Sequence, residues 1–455
     1  MFRFRIVPRV GILLTPCLLL AAGAANASNY YVSKSGNDKN AGASLDSSYA
    51  TIQHAIDKAS AGDTIFVVAD KYNGKGNRNL NFGGKDLTLE AYPSSDGTNT
   101  LVTLDVQNSG RGFLFQSHET AASVINGFKI INGNIPDDAG GAVYIAGSSP
   151  TFTNCTFDSN NAHLAGAVFV YNYANPTFTN CVFSNNTGRI GGATYMDYNT
   201  QASFTGCSFT GNSGLYGGAV YTYCSSDSYT DCTFDSNSGY VGGALYTTSN
   251  ATLTFTNATF SNNAAIDRGG ASFAGYKAIL TFYNGVVFGN SALSGGGFYN
   301  SYKSASNLYN TTMTGNSATS KGGAIYNGTY CSPTIFASIL WNDTAGTTKN
   351  GTDEIYNAST TSVPNVTYSD ILFGDDSVNP DTTAVWPDTS NTNNTNLDVV
   401  PGFDTTGLLP AYSLGVKSPL INAGPATANS DFDQDGNPRI VNGLLDIGAY
   451  EYQLP

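Results

Sequence analysis

Gly191-Gly192-Ala193-Thr194-Tyr195, Gly217-Gly218-Ala219-Val220-Tyr221 and Gly242-Gly243-Ala244-Leu245-Tyr246 are the stretch that decides the fold. The same phrase, two glycines, an alanine, any residue and an aromatic ring, opens at Gly140 and returns at Gly269 and Gly322. Weaker copies end at Phe169 and Tyr299. The period is about 26 residues. A fixed period of this length means stacked units that bury a continuous core only by packing on their neighbours. A second phrase, F-x-x-N, falls between the copies: Phe157 to Asn160, Phe183 to Asn186, Phe209 to Asn212, Phe234 to Asn237 and Phe260 to Asn263.

Within one unit, Thr151-Phe152-Thr153 alternates polar and apolar, as a half-buried strand does. Asn154 follows, then Cys155-Thr156-Phe157, then a polar turn over Asp158-Ser159-Asn160-Asn161, then Gly166-Ala167-Val168-Phe169. Three short strands per unit, joined by Asn and Gly corners, predict one coil of an all-β solenoid, a single-stranded parallel β-helix. Asn and Gly suit such corners because they tolerate a left-handed backbone. The corners stack: Asn154, Asn180, Asp231, Asn257, Asn284 and Asn310 form one column, with Gly206 filling its gap. Asn160, Asn186, Asn212, Asn237, Asn263, Asn290, Asn316 and Asn342 form another, in which amides are expected to bond along the stack. Phe152, Phe178, Phe204, Phe255 and Phe282 read as an inner column. The rings from Tyr144 to Tyr326 are also expected to point inward, because Ala two positions earlier is nearly constant. Thr153, Thr179, Thr205, Thr230 and Thr256 read as an outward column that β-propensity explains.

Residues 1–27 read as a secretion signal, with Arg3, Arg5 and Arg9, an apolar run from Ile12 to Leu20, and Ala25-Asn26-Ala27 as the cleavage site. The expected location is therefore secreted, periplasmic or at the cell surface. No later run is long and apolar enough to span a bilayer, so no membrane span is expected in the mature chain. Lys and Arg total 20 against 33 Asp and Glu, a net charge of −13, which argues against nucleic acid and anionic membranes. Charged residues make up only 12% and aromatics another 12%, a composition unlike disorder. Cys155, Cys181, Cys207 and Cys232 occupy one column and read as buried thiols acting as small apolar groups. Cys224 and Cys331 have no evident partner.

Residues 28–139 are expected to hold an N-terminal cap and the first coils. Ile52, Ala55, Ile56 and Ala59 give a short amphipathic helix, with Ser47 or Ser48 as its cap. Residues 140–343 are the repeat array. Residues 344–455 lose the repeat and are expected to form loop-rich coils and a capping region.

The paired G-G-A-x and F-x-x-N motifs resemble the repeats of chlamydial polymorphic outer-membrane proteins, whose passenger regions are right-handed β-helices linked to adhesion. The opening, Tyr30-Tyr31-Val32-Ser33 through Ala50-Thr51-Ile52-Gln53 to Gly62-Asp63-Thr64-Ile65, resembles the start of secreted pectate-lyase-like proteins. The tail, with Ser418-Pro419-Leu420-Ile421-Asn422-Ala423-Gly424 and Asp446-Ile447-Gly448-Ala449-Tyr450-Glu451, is similar to the choice-of-anchor Q domain of bacterial surface proteins. The chain carries no run of alternating ten-residue segments of the kind a membrane barrel needs, so self-export is not expected.

The fold is shared by polysaccharide lyases and hydrolases, so catalysis needs candidates. A lyase needs a Lys or Arg base in a groove. Arg268 and Lys321 each precede a Gly-Gly pair and lie two coils apart. A hydrolase needs two carboxyl groups about 5–9.5 Å apart, for which Asp137-Asp138 and Asp375-Asp376 are the visible pairs. Asp431-x-Asp433-x-Asp435-Gly436 has the oxygen spacing of a calcium loop, but the late Glu is replaced by Asn442. A polar turn closing the solenoid is the preferred reading of the same residues, so no cofactor is expected and calcium is the lesser alternative. Tyr171, Tyr173, Tyr198, Tyr223, Tyr276, Tyr302 and Tyr330 lie just after the Gly-Gly-Ala strands and are not needed by the core. They are the expected binding surface for a polysaccharide or a surface protein. The leading expectation is non-catalytic adhesion or recognition. A polysaccharide-degrading enzyme, a lyase before a hydrolase, and a structural envelope protein are the alternatives.

Overall fold

The computed structural model describes residues 27–94, 97, 100–346, 354–372, 395–406 and 410–453. Residues 1–26 of the expected signal and the pair Asp375-Asp376 lie outside the described residues. The chain winds into a parallel β-solenoid of about 11 turns. Each full turn visits four sheets, not three. Sheet one has 13 strands, sheet two 12, sheet three 9 and sheet four 11, and every ladder in them is parallel. In the unit read above, Thr151–Thr153 lies in sheet one, Thr156–Asp158 in sheet two, Asn161–Leu164 in sheet three and Val168–Tyr171 in sheet four. The added strand is the segment after Asn160, which the sequence reading left in a turn. Its outward residues vary from coil to coil, so its period of two is hard to see along the chain. At about 4.8 Å per strand, sheet one is roughly 58 Å long.

The corners follow the expected residue types. Asn154, Asn180, Gly206, Asp231, Asn257, Asn284 and Asn310 all have φ between 51° and 62°. Two herringbone columns of rings fill the interior. Phe152, Phe178, Phe204, Tyr229, Phe255 and Phe282 stack with centroids 4.7–5.2 Å apart, so Tyr229 fills the gap in the expected column. Phe157, Phe183, Phe209, Phe234 and Phe260 stack beside them at 4.4–4.8 Å. Cys155, Cys181, Cys207 and Cys232 are free and buried, each sulfur against a carbonyl of the preceding coil.

The buried Asn column runs from Asn160 to Asn316. From Asn186 on, each amide oxygen accepts both the backbone N–H and the side-chain N–H of the Asn one coil before, at 2.8–3.1 Å, while the Asn160 oxygen accepts the Gly133 N–H. The column ends on Asp343, not Asn342. Asp343 Oδ1 accepts both N–H groups of Asn316 at 2.7 Å, while Asn342 takes the left-handed corner before it, at φ 62°. A terminal member needs only acceptors, which a carboxylate supplies.

The helix Ile52–Lys58 buries Ile52, Ala55 and Ile56 against the first coils. Its cap position is Thr51, not Ser47 or Ser48, and Asn77 Oδ1 takes the Ile52 N–H at 3.0 Å. Ser48 is instead buried and bonded to Ser33. The tail packs on the side of the solenoid. Leu414, Leu420 and Ile447 cover Ile339 and Trp341 on the outside of sheet two. Asn284 Nδ2 donates to the Phe432 carbonyl at 2.7 Å, and Gly448 N to the Ala337 carbonyl at 2.9 Å. No helix among the described residues is long and apolar enough to cross a membrane.

Candidate functional site

The Gly-Gly-Ala corner sends the chain from sheet three into sheet four at very close range. A Cβ on Gly218 would lie 1.9 Å from the Gly243 carbonyl of the next coil. The first glycine of each pair has positive φ, 71° at Gly217. The strand of sheet four begins only after the Ala, so Ala142 is no guide to the facing of Tyr144. Val143 and Ile145 are fully buried and Tyr144 between them is half-buried, facing out. The expected inward column is therefore an outer one. Tyr144, Phe169, Tyr195, Tyr221, Tyr246, Phe273, Tyr299, Tyr326 and Tyr356 form a continuous ladder of rings, centroids 4.3–5.4 Å apart. Leu164 and Ile190, at the ends of sheet-three strands, pack against it, in a cluster separate from the main core. Partial burial holds the Tyr195, Tyr221 and Tyr299 hydroxyls well above the usual phenol range.

Two outward positions per strand extend this face toward the next corner. Tyr171, Asp197 and Tyr223 stand in register beyond the ladder. At the corner itself lie Tyr173, Tyr198, Tyr276, Tyr302 and Tyr330. All seven expected tyrosines are exposed, from 37% at Tyr171 to 61% at Tyr173. Six of them gather in two groups. Tyr198 lies 5.9 Å from Tyr171 and 5.5 Å from Tyr173. Tyr276 and Tyr302 stack at 5.7 Å, and Tyr330 meets Tyr302 edge-on at 5.9 Å. Lys277 and Lys303, which the sequence does not single out as candidates, lie over the second group, 5.1 Å from Tyr276 and 5.2 Å from Tyr302. Tyr173, Tyr198 and Tyr330 have φ of 58°, 57° and 60°. A bulky residue in that region costs about 1 kcal/mol, which Asn or Gly at the same corner would avoid.

Arg268 and Lys321 stand in one column of sheet three, two strands apart as expected. Both are bound to the ring ladder. Arg268 lies 5.5 Å over Tyr299 and is paired with Asp267 at 3.3 Å. Lys321 lies 4.3 Å over Tyr356 and donates to its hydroxyl at 2.6 Å. Asp137 is exposed. Asp138 is paired with Arg111; burial pushes its carboxyl up, but the Arg111 and Ala139 hydrogen bonds outweigh this and hold it below the usual range. Asp138 and Arg268 are five strands apart in the same sheet, roughly 24 Å at ~4.8 Å per strand, so they do not meet at one bond.

A shallow groove of about 680 Å³ runs along sheet three, floored by Ala162, Gly188, Gly214 and Gly239 and flanked by His163, Arg189, Leu215, Tyr240 and Ile266. Its lining carries no carboxylate. The acid pair of a glycosidase is not assembled there.

In the tail, Asp431 and Asp435 are exposed and Asp433 is buried. Asp433 accepts N–H groups from Asp435, Asn437 and Glu451 at 2.8–2.9 Å and the Asn437 amide at 3.3 Å. Arg439 is buried beside it, with Asp446 and Glu451 adjacent. These bonds account for the turn. Among the described residues no three His, Cys, Asp or Glu side chains are grouped to hold a metal ion.

Residues 112–317 match the family described as the right handed beta helix region, in agreement with the path of the coils. Residues 310–328 match the Chlamydia polymorphic membrane protein repeat. Similar solved structures include the pectate lyase Pel9A, at 16% identity over 95% of this chain and 98% of that one, TM-score 0.43. A GH136 lacto-N-biosidase from Eubacterium ramulus shows 10% identity over 74% of this chain and 68% of that one, TM-score 0.46. A pectin methylesterase from carrot shows 11% over 74% and 91%, TM-score 0.31. No curated protein matches the sequence.

Proposed function

We propose that this chain is a secreted or cell-surface recognition protein, and that it binds glycans through the tyrosine corner without cleaving them. The observation that carries the reading is the placement of three exposed tyrosines, Tyr173, Tyr198 and Tyr330, at left-handed corner positions, where folding alone favours Asn or Gly. Rings held on a rigid parallel scaffold present flat, amphipathic faces at little further entropy cost, as sugar and protein interfaces need. The ring ladder behind them supports the corner. The signal-like start, the tail resembling surface-protein anchors and the acidic surface fit such a setting. The basic candidates for lyase chemistry are engaged with rings, and the groove along sheet three lacks acids, which supports binding over catalysis.

The test is retention of the purified protein on a panel of polysaccharides, with new reducing ends and unsaturated-uronate absorbance recorded in parallel. Retention without product is expected. Tyr198→Ala, Tyr276→Ala and Tyr302→Ala, combined, are expected to abolish retention while leaving circular dichroism and Tm unchanged. Catalytic product release, or retention indifferent to the three changes, overturns the reading. Capture of a protein ligand in place of every polymer also overturns the glycan assignment.

A further inference from the structure

Resting on that reading, we infer that the half of the corner built from Tyr276, Lys277, Tyr302, Lys303 and Tyr330 takes acidic sugar units, by their carboxylate or sulfate groups. The lysines decide this. Lys277 Nζ lies 5.1 Å from the Tyr276 ring, and Lys303 Nζ lies 5.2 Å from Tyr302 and 5.5 Å from Tyr330. Both residues have left-handed backbone, φ 56° and 57°. Their backbone N–H groups are tied to the next coil, Lys277 to the Tyr302 carbonyl at 3.0 Å and Lys303 to the Thr329 carbonyl at 3.1 Å. The stems therefore rise from fixed points one coil apart.

Three lysines elsewhere in the fold are paired with carboxylates. Lys71 meets Asp105 at 2.5 Å, Lys129 meets Asp158 at 3.1 Å and Lys34 meets Asp70 at 3.6 Å. Among the described residues neither Lys277 nor Lys303 has an ion pair, in a chain with 33 acidic against 20 basic residues. Their chain neighbours, Tyr276, Ala278, Tyr302 and Ser304, carry no carboxylate. Like charges on neighbouring coils repel, which an anion bridging them reverses. Each ammonium has three donors, and a ring face occupies one side of it. The remaining donors point to an oxyanion, while the exposed stack of Tyr276 and Tyr302 offers ring edges and hydroxyls to its sugar ring. The Tyr171, Tyr173 and Tyr198 group has no lysine and takes neutral ring faces.

The experiment is affinity electrophoresis of the whole protein in gels holding a neutral β-glucan, polygalacturonate or dextran sulfate. Wild type is expected to be retarded most by an acidic polymer, and the two acidic gels tell carboxylate from sulfate. Lys277→Gln with Lys303→Gln is expected to weaken acidic retention about tenfold and flatten its salt dependence, with neutral retention and Tm kept. Lys39→Gln with Lys75→Gln, exposed lysines away from the corner, is the control. An equal loss in the control, or unchanged acidic retention in the corner variant, overturns the inference. Retention by the neutral polymer alone overturns it and leaves the proposed function standing. Retention by none of the three overturns both.

Discussion

Asn212 Nδ2 donates to Asn237 Oδ1 at 3.0 Å, and the same oxygen accepts the backbone N–H of Asn212 at 3.0 Å. One buried amide per coil thus satisfies the corner it sits in and the coil behind it, since Asn212 Nδ2 also reaches the Phe183 carbonyl at 2.9 Å. Asn212→Ala strips the partner from the Asn186 N–H groups and from Phe183. Each orphaned buried group costs about 1–3 kcal/mol. The expected loss is ~3 kcal/mol or more, read as a lower urea midpoint, with the exposed Thr210→Ala near wild type.

Gly218→Ala is expected to be worse tolerated than any neighbouring surface change. Its Cβ would meet the Gly243 carbonyl at 1.9 Å and the Ser238 carbonyl at 2.6 Å, both backbone atoms that cannot step aside. Overpacking on this scale costs about 3 kcal/mol or more. Gly285→Ala, whose nearest atoms lie at 3.5 Å, is expected to keep wild-type soluble yield and Tm.

Asp227 lies in the solenoid interior, with its Oδ1 accepting the Ala202 N–H at 2.8 Å and its Oδ2 without a partner. Burial pushes its pKa up to about 8. The folded state therefore keeps a proton that the unfolded chain releases above its ordinary value of 3.8. The contribution of this group to stability falls as pH rises from that value to about 8, and is then flat. Asp227→Asn removes this slope. It is expected to raise Tm at pH 8 relative to wild type, by an amount that shrinks toward pH 4. A difference independent of pH would contradict this account.

Calcium and a chelator are expected to leave Tm unchanged, because Asp433 is already committed to four N–H donors in the tail. Asp433→Ala is expected to loosen the tail, seen as faster proteolysis after residue 400, with or without calcium. A calcium-dependent rise in Tm would return the D-x-D-x-D turn to the metal reading.

The period of the coil, the Asn and Gly corners, the inner Phe column and the thiol column were all legible in the chain, because each rests on local chemistry. A left-handed corner selects Asn or Gly at its own position, and a strand alternates on its own period of two. The exposed tyrosines after each Gly-Gly-Ala strand were legible too, as rings the core did not require. Two readings failed where local pattern meets a change of direction. Ala142 sits on the corner and not in the strand, so it misled on the facing of Tyr144. Asn342 is one residue short of the buried column, and only the contact of Asn316 with Asp343 shows it.

The sequence by itself determined a parallel solenoid and its surplus of rings, since a repeat that satisfies its own corners has few other ways to bury its apolar side. The tertiary structure alone decided that nine rings form an outer ladder, that Tyr276 stacks on Tyr302 and Lys303 reaches over Tyr330 on the next coil, and that the tail docks sideways on sheet two. Those relations join residues one coil or more apart, where the spacing between coils and the turn of each corner, not any local preference, bring side chains together.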